Sequence, residues 1–190
     1  MTLEELKATC LTHGMPIMSD AALNYTTQLI NQQELGSVLE LGSCWGYSAI
    51  TIAEQTKASI ISLERDLNRH TQARYHVKTM ALEDRIEMVY DDALVYQPQQ
   101  NFDLILIDAA KAQNQAFVDR YYDYLKDGGY MVIDNTEFHG LVFEDTISSK
   151  SLKTMIQALQ AFHQSIKEDF RFESEFLSLG DGLIVLKKKI

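Results

Sequence analysis

Short runs of apolar, often β-branched residues alternate along this chain with longer stretches whose apolar positions recur every three or four residues. That alternation predicts strands separated by helices. Residues 38–41, 59–64, 86–89, 102–108 and 130–134 read as strands. Leu104, Ile105, Leu106 and Ile107 are apolar without a break, as in a strand buried on both faces of a helix-covered parallel sheet. Ahead of the first strand, residues 3–11 and 21–32 carry helical spacing, the second with Ser19 or Asp20 as its N-cap. Residues 1–34 are expected to form a helical cover leaning across the carboxyl edge of the sheet. After the fifth strand, Leu152, Met155, Ile156, Leu159 and Phe162 fall on one helix face. Residues 170–177 and 183–186 flank the turn Gly180-Asp181-Gly182, a terminal hairpin. The expected fold is α/β: a Rossmann-like, seven-stranded, mostly parallel sheet with a C-terminal antiparallel hairpin and helices on both faces. Ligands of such a sheet sit beyond the strand ends where the winding reverses.

Composition narrows the picture. The 190 residues are 46% hydrophobic, enough for one well-buried core. Only Pro16 and Pro98 interrupt as prolines, and nothing reads as a linker, so a single domain over 1–190 is expected. Seventeen Lys and Arg against 27 Asp and Glu leave a formal net charge of −10, a surface that repels phosphate backbones. The lysines 187–189 read as a solvated tail. Cys10 and Cys44 are too few and too far apart for a disulfide framework or zinc ribbon. No apolar run approaches the roughly 18 residues of a membrane span, and the first 30 residues lack a signal-like pattern. A soluble cytoplasmic protein is expected.

The candidate chemistry lies at the strand ends. Val38-Leu39-Glu40-Leu41-Gly42-Ser43-Cys44-Trp45-Gly46-Tyr47-Ser48 runs from strand to helix through a tight turn. Gly42 permits close backbone approach and Gly46 close packing at the helix start. Cys44 replaces the glycine that makes room for dinucleotide phosphates, and Glu40 suits an ammonium better than a phosphate. Glu64 closes the second strand, where an acidic side chain accepts ribose hydroxyls, and Asp92-Ala93 after the third strand borders an adenine. An adenosine whose tail carries an amine is the outline of S-adenosylmethionine. Asp108 ends the fourth strand and Asp134-Asn135 the fifth; neighbouring parallel strands lie about 4.8 Å apart, so these ends converge. Two carboxylates and an amide oxygen suit Mg²⁺, Mn²⁺ or Ca²⁺ and leave positions for water or substrate. Taken without their neighbour Lys111, the two aspartates read better as caps of the segments that follow. Lys111, three residues after Asp108, projects into the same crevice as a candidate base.

Other residues take plainer readings. His13, His70, His76, His139 and His163 show no metal-ligand spacing and read as surface or helix-face residues, with His139 alone beside the site. Cys44 reads as a space-filler, Trp45 and Tyr47 as packing, and Tyr121, Tyr122 and Tyr124 as a half-buried helix.

The strings LELGSCWGYSAI, LILIDAAKAQ and VIDNTEFHGLV together resemble the cation-dependent O-methyltransferases, which include catechol, caffeoyl-coenzyme A and bacterial tRNA hydroxyuridine methyltransferases. The resemblance spans roughly residues 16–188. It implies S-adenosylmethionine around Met18, Glu40, Gly42, Ser43, Gly46, Ser48, Glu64, Asp92, Ala93 and Asp108, a magnesium ion at Asp108, Asp134 and Asn135, and base chemistry at Lys111 with Asp108. It also implies a homodimer. DAAKAQ and FHGLV resemble most the branch that methylates 5-hydroxyuridine at the tRNA wobble position, whose base presents adjacent oxygens as a catechol does. Where related tRNA enzymes carry an arginine-rich segment, this chain has residues 143–150, FEDTISSK, and His139 stands where an arginine is common. The acceptor is therefore either a small catechol-like molecule or tRNA. A nicotinamide-dependent oxidoreductase and a non-catalytic cofactor-binding module stand as the alternatives.

Overall fold

The computed structural model describes residues 1–137, 140–143 and 149–190. His139 and most of the 143–150 segment singled out above lie outside the described residues. The chain runs α1 (Leu3–Thr12), α2 (Asp20–Gln32), β1 (Ser37–Leu41), α3 (Tyr47–Gln55), β2 (Ser59–Glu64), α4 (Leu67–Thr79), β3 (Ile86–Tyr90), β4 (Phe102–Ile107), α5 (Asn114–Tyr121), β5 (Leu125–Asp134), α6 (Lys150–Glu168), β6 (Phe172–Leu177) and β7 (Leu183–Lys188). The seven strands form one sheet in the order β3-β2-β1-β4-β5-β7-β6. β1 to β5 are mutually parallel, and β7 is antiparallel to both β5 and β6. The winding reverses between β1 and β4, so the crevice expected of such a sheet opens at their carboxyl ends.

Period-two alternation sends neighbouring strand residues to opposite faces. Val38, Leu104, Leu106 and Val132 join Leu6, Cys10, Leu23, Ile30 and Ile50 in a core on one face. Leu39, Ile105, Ile107 and Ile133 join Phe117, Tyr121, Phe162 and Ile166 on the other. Each such side chain contributes about 1.5–3 kcal/mol on full burial. The two cores hold the strand ends, and the loops that leave them, in fixed register.

Several expectations need correction. The apolar faces of α1 and α2 are continuous with the first core and pack beside α3, and the link between them reaches the cavity through Pro16. Ser19 is the N-cap of α2, accepting from the Ala22 N–H at 3.2 Å. β5 starts at Leu125 rather than residue 130, because the chain pairs with β4 on both sides of an irregularity opposite Phe102 and Leu104. The helix expected to carry Tyr121, Tyr122 and Tyr124 ends at Tyr121, and a 3-10 turn takes in the other two. β6 starts at Phe172, since the Asp169 carboxylate accepts the Arg171 N–H at 3.0 Å and turns the chain first; Phe170 is left 83% exposed. Lys187 and Lys188 are strand residues rather than tail. The Lys188 ammonium donates to the carbonyls of Tyr122 (3.3 Å) and Leu125 (2.8 Å) and lies 4.4 Å from the Tyr122 ring centroid. No helix among the described residues is long and apolar enough to cross a membrane.

Candidate active site

The turn from β1 into α3 is built on two left-handed glycines. At Gly42 φ is +97°, and a Cβ there would stand 2.3 Å from the carbonyl oxygen of Asp108. Only glycine lets the first turn and the end of β4 approach this closely. Gly46, at φ +82°, opens α3 and faces Ala73 of α4, whose Cβ would be 3.3 Å from an added one. The N–H groups of Gly42 and Ser43 both donate to the Leu63 carbonyl, at 3.0 and 2.9 Å. The next N–H, that of Cys44, donates to Glu64 Oε2 at 2.9 Å, and Asp66 N–H donates to Oε1 at 2.9 Å. Both oxygens are thereby fixed in direction, and each keeps lone pairs for a ligand.

A cavity of about 360 Å³ opens beside this turn. Gly42, Cys44, Glu64, Asp92 and Ala93 line one part of it, and Asp108, Lys111 and Asn135 line another. The Ala93 segment is held from below by Tyr121, a fully buried side chain whose hydroxyl donates to the Ala93 carbonyl at 2.7 Å. Pro16, Arg65, Arg69, Asp91, Gln113 and Phe117, none of them expected at the site from the sequence, also line it. Arg65 and Asp91 flank strand-end residues already singled out, so their position was a usable signal. Gln113 closes the LILIDAAKAQ string and so carried one too; Pro16, Arg69 and Phe117 come from a link or a helix body and carried none.

Six expected residues do not line the cavity. Met18, Ser43 and Ser48 are buried, Gly46 faces α4, and Asp134 is buried at the end of β5. Glu40 lies a layer below the cavity, completely buried, with the hydroxyls of Ser48 and Ser62 donating to its two oxygens. Its neighbour across the β1–β2 register is Ser62 itself. Burial pushes the Glu40 carboxyl up to about 7, against the pull of the two hydroxyls. Glu40, expected beside an ammonium, here ties β1, β2 and α3 together through these hydroxyls.

At the other end of the cavity, Lys111 Nζ donates to Asp108 Oδ1 at 3.0 Å and to the Asp134 carbonyl at 3.5 Å. Burial, and then the neighbouring Asp108 carboxylate, push Asp134 up to about 7. The Asn135 Oδ1 is buried and has no hydrogen-bond partner. A buried amide oxygen without a donor costs about 1–3 kcal/mol, and two carboxylates crowded together call for a cation. This set of hard oxygens fits a divalent ion such as Mg²⁺. Among the described residues no three His, Cys, Asp or Glu side chains converge in that manner; an ion at the two aspartates would need a further oxygen, and that of Asn135 is without a partner.

The histidines are less peripheral than expected. His70 and His76 are buried. His76 Nδ1 donates to the Trp45 carbonyl at 2.9 Å, and the Trp45 ring packs between His13 and His76, at 5.1 and 5.8 Å between centroids. His163 reaches the Thr136 carbonyl at 3.0 Å, beside the end of β5.

Comparison with known proteins gives a consistent picture. A family model described as O-methyltransferase matches residues 1–190. The tapetum-specific methyltransferase 1 of Arabidopsis thaliana is 24% identical over 186 residues, covering 93% of this chain and 78% of that protein. A caffeoyl-CoA O-methyltransferase of Populus kitakamiensis is 22% identical over 186 residues, covering 92% and 79%. Among solved structures, a Staphylococcus aureus protein provisionally named a caffeoyl-CoA O-methyltransferase superposes with a TM-score of 0.94 at 26% identity, over 99% of this chain and 92% of that one. A Bacillus cereus O-methyltransferase in complex with SAH superposes at 0.84 with 24% identity, over 98% and 90%.

Proposed function

Since the chain belongs to the O-methyltransferase family, we propose that it carries the methyl group of S-adenosylmethionine to one hydroxyl of a small acceptor with two vicinal oxygens, with a divalent cation held by Asp108, Asp134 and Asn135. The observation that carries this reading is the buried, unpartnered oxygen of Asn135, which lines the same cavity as Asp108 and Lys111, the latter two 3.0 Å apart. The glycine turn and Glu64 open onto the same cavity. Family membership removes the main reason for a nicotinamide reading.

Glu64 accepts the ribose hydroxyls, its rotamer locked by the Cys44 and Asp66 N–H groups. Asp92 and Ala93 flank the adenine, and Gly42 lets the donor lie against the backbone. The chemistry a bound divalent cation supplies is polarisation of an acceptor hydroxyl, which makes it acidic. Lys111 takes the proton at its Nζ, and Asp108 keeps that nitrogen at the mouth of the site. An oxyanion so formed needs in-line aim at the donor methyl and exclusion of water more than any further group.

A small acceptor is favoured over tRNA by the net charge of −10, which opposes a polyanion. Relatives named for caffeoyl-CoA also support it, because a caffeoyl group carries adjacent phenolic hydroxyls. The reading includes a homodimer and a reducing, cytoplasmic setting, which the free thiols of Cys10 and Cys44 suit.

The test is transfer of radiolabelled methyl from S-adenosylmethionine, with magnesium, to a panel of small catechols and to tRNA bearing 5-hydroxyuridine. Label in a catechol, lost on chelation and restored by the metal, is the expected result. Label in tRNA alone would replace the acceptor. Binding of S-adenosylhomocysteine with transfer to neither would leave a non-catalytic binding module.

A further inference from the structure

We infer that His163, on α6 and distant in sequence from every residue of the site, is a positioning residue that holds the Asn135 amide oxygen in place for the cation. The inference rests on the cation reading above. Asn135 has φ +60°, a left-handed backbone that a non-glycine residue adopts only where its surroundings impose it. What imposes it is visible in the two peptide groups that follow. The first is held by its N–H: Thr136 donates to the Gly182 carbonyl at 3.0 Å. The second is held at both ends, for Glu137 N–H donates to the Asp181 carbonyl at 2.7 Å and the Thr136 carbonyl accepts from His163 at 3.0 Å. Because the acceptor is a carbonyl, His163 Nε2 must carry the proton.

The hairpin side of this clamp comes from backbone and leaves no room for adjustment. A Cβ on Gly182, itself at φ +88°, would stand 2.6 Å from the Glu137 nitrogen. Ser178 adds a hydroxyl donated to Glu137 Oε1 at 2.7 Å. His163 is the only side chain among the described residues seen to hold the Thr136 carbonyl. Its ring is half-buried beside Phe176 of β6, 5.4 Å between centroids, and burial lowers its proton affinity. α6 and the β6–β7 hairpin thus close on the loop from two sides. Without the His163 donor the second peptide is held through its N–H alone, and the left-handed setting of Asn135 loses one of its three restraints. Residues that orient metal ligands in this indirect way typically change metal affinity by about 10–100-fold when removed.

The experiment compares His163→Leu and His163→Gln with the unaltered protein. Glutamine places an amide N–H where the Nε2–H was but lacks the ring; leucine removes the donor altogether. Mn²⁺ binding is read by electron paramagnetic resonance, S-adenosylhomocysteine binding by calorimetry, and stability by thermal melting. His163→Leu is expected to weaken Mn²⁺ binding about tenfold or more, while S-adenosylhomocysteine affinity stays within twofold. His163→Gln is expected to recover most of the Mn²⁺ affinity even though both variants lose the contact with Phe176 and melt lower. Equal Mn²⁺ affinity in all three proteins, with Asp134→Asn still abolishing it, would overturn the role of His163 and leave the cation site standing. Mn²⁺ binding that is absent, or indifferent to Asp134→Asn, would overturn the cation reading and this inference with it. Parallel loss in the leucine and glutamine variants would reduce His163 to packing and also overturn the inference.

Discussion

Lys111 and Glu40 are two ionisable side chains whose surroundings assign them opposite work. Lys111 sits at the cavity wall with its nitrogen on Asp108. Replacement by alanine is expected to lower kcat by about a hundredfold or more, the usual loss of a general base, with S-adenosylhomocysteine affinity within a few-fold by calorimetry. Near-full turnover would remove it from the mechanism. Glu40 is sealed below the cavity, raised from its ordinary value of 4.5 to about 7. The folded state therefore binds a proton there that the unfolded state has released, and the stability Glu40 contributes falls as pH rises from 4.5 to 7. Glu40→Gln keeps a polar group between Ser48 and Ser62 but cannot ionise. Its melting temperature is expected to gain on that of the unaltered protein between pH 5 and pH 8. A relative loss over that range would mean that the carboxylate is the favoured form.

At the scale of elements, the site depends on one close approach, between the β1–α3 turn and the end of β4. Gly42→Ala places a methyl group 2.3 Å from the Asp108 carbonyl in a backbone region that alanine avoids. The turn must withdraw from β4, so S-adenosylhomocysteine affinity is expected to fall more than tenfold in calorimetry; unchanged affinity would show that the turn does not bear on the donor. Much of this architecture was legible from the chain. The apolar run 104–107 reads as a strand buried on both sides, and the interruption at Gly42 as a tight turn. Strand-end residues were equally legible, because in a parallel sheet position at the end of a strand is position at the ligand edge: Gly42, Glu64, Asp92, Asp108 and Asn135 all border the crevice or its mouth. What could not be read depended on how elements pack. Periodicity shows that α1 and α2 have an apolar face but not which surface receives it. It shows that Glu40 alternates with Leu39 and Leu41, but not that two serine hydroxyls from β2 and α3 close over it. Pro16, Arg69 and Phe117 enter the cavity from segments with no strand-end rule, and the reach of His163 across to Thr136 is a property of α6 once docked.

Across the whole molecule, the parallel sheet supplies one edge on which a donor cavity and a set of hard oxygens meet, and the C-terminal hairpin braces the far side of that edge through Thr136 and Glu137. On the proposed reading, the negative surface disfavours polyanionic acceptors, and an acceptor's vicinal oxygens select it through a shared cation. The central claim is that ion and donor occupy neighbouring parts of the same crevice. Anomalous scattering from crystals soaked with Mn²⁺ and S-adenosylhomocysteine tests it most directly. The predicted result is a single manganese peak among the side-chain oxygens of Asp108, Asp134 and Asn135, with the nucleoside density against Gly42 and Glu64. Nucleoside density in that place with no manganese peak at those three oxygens would contradict it.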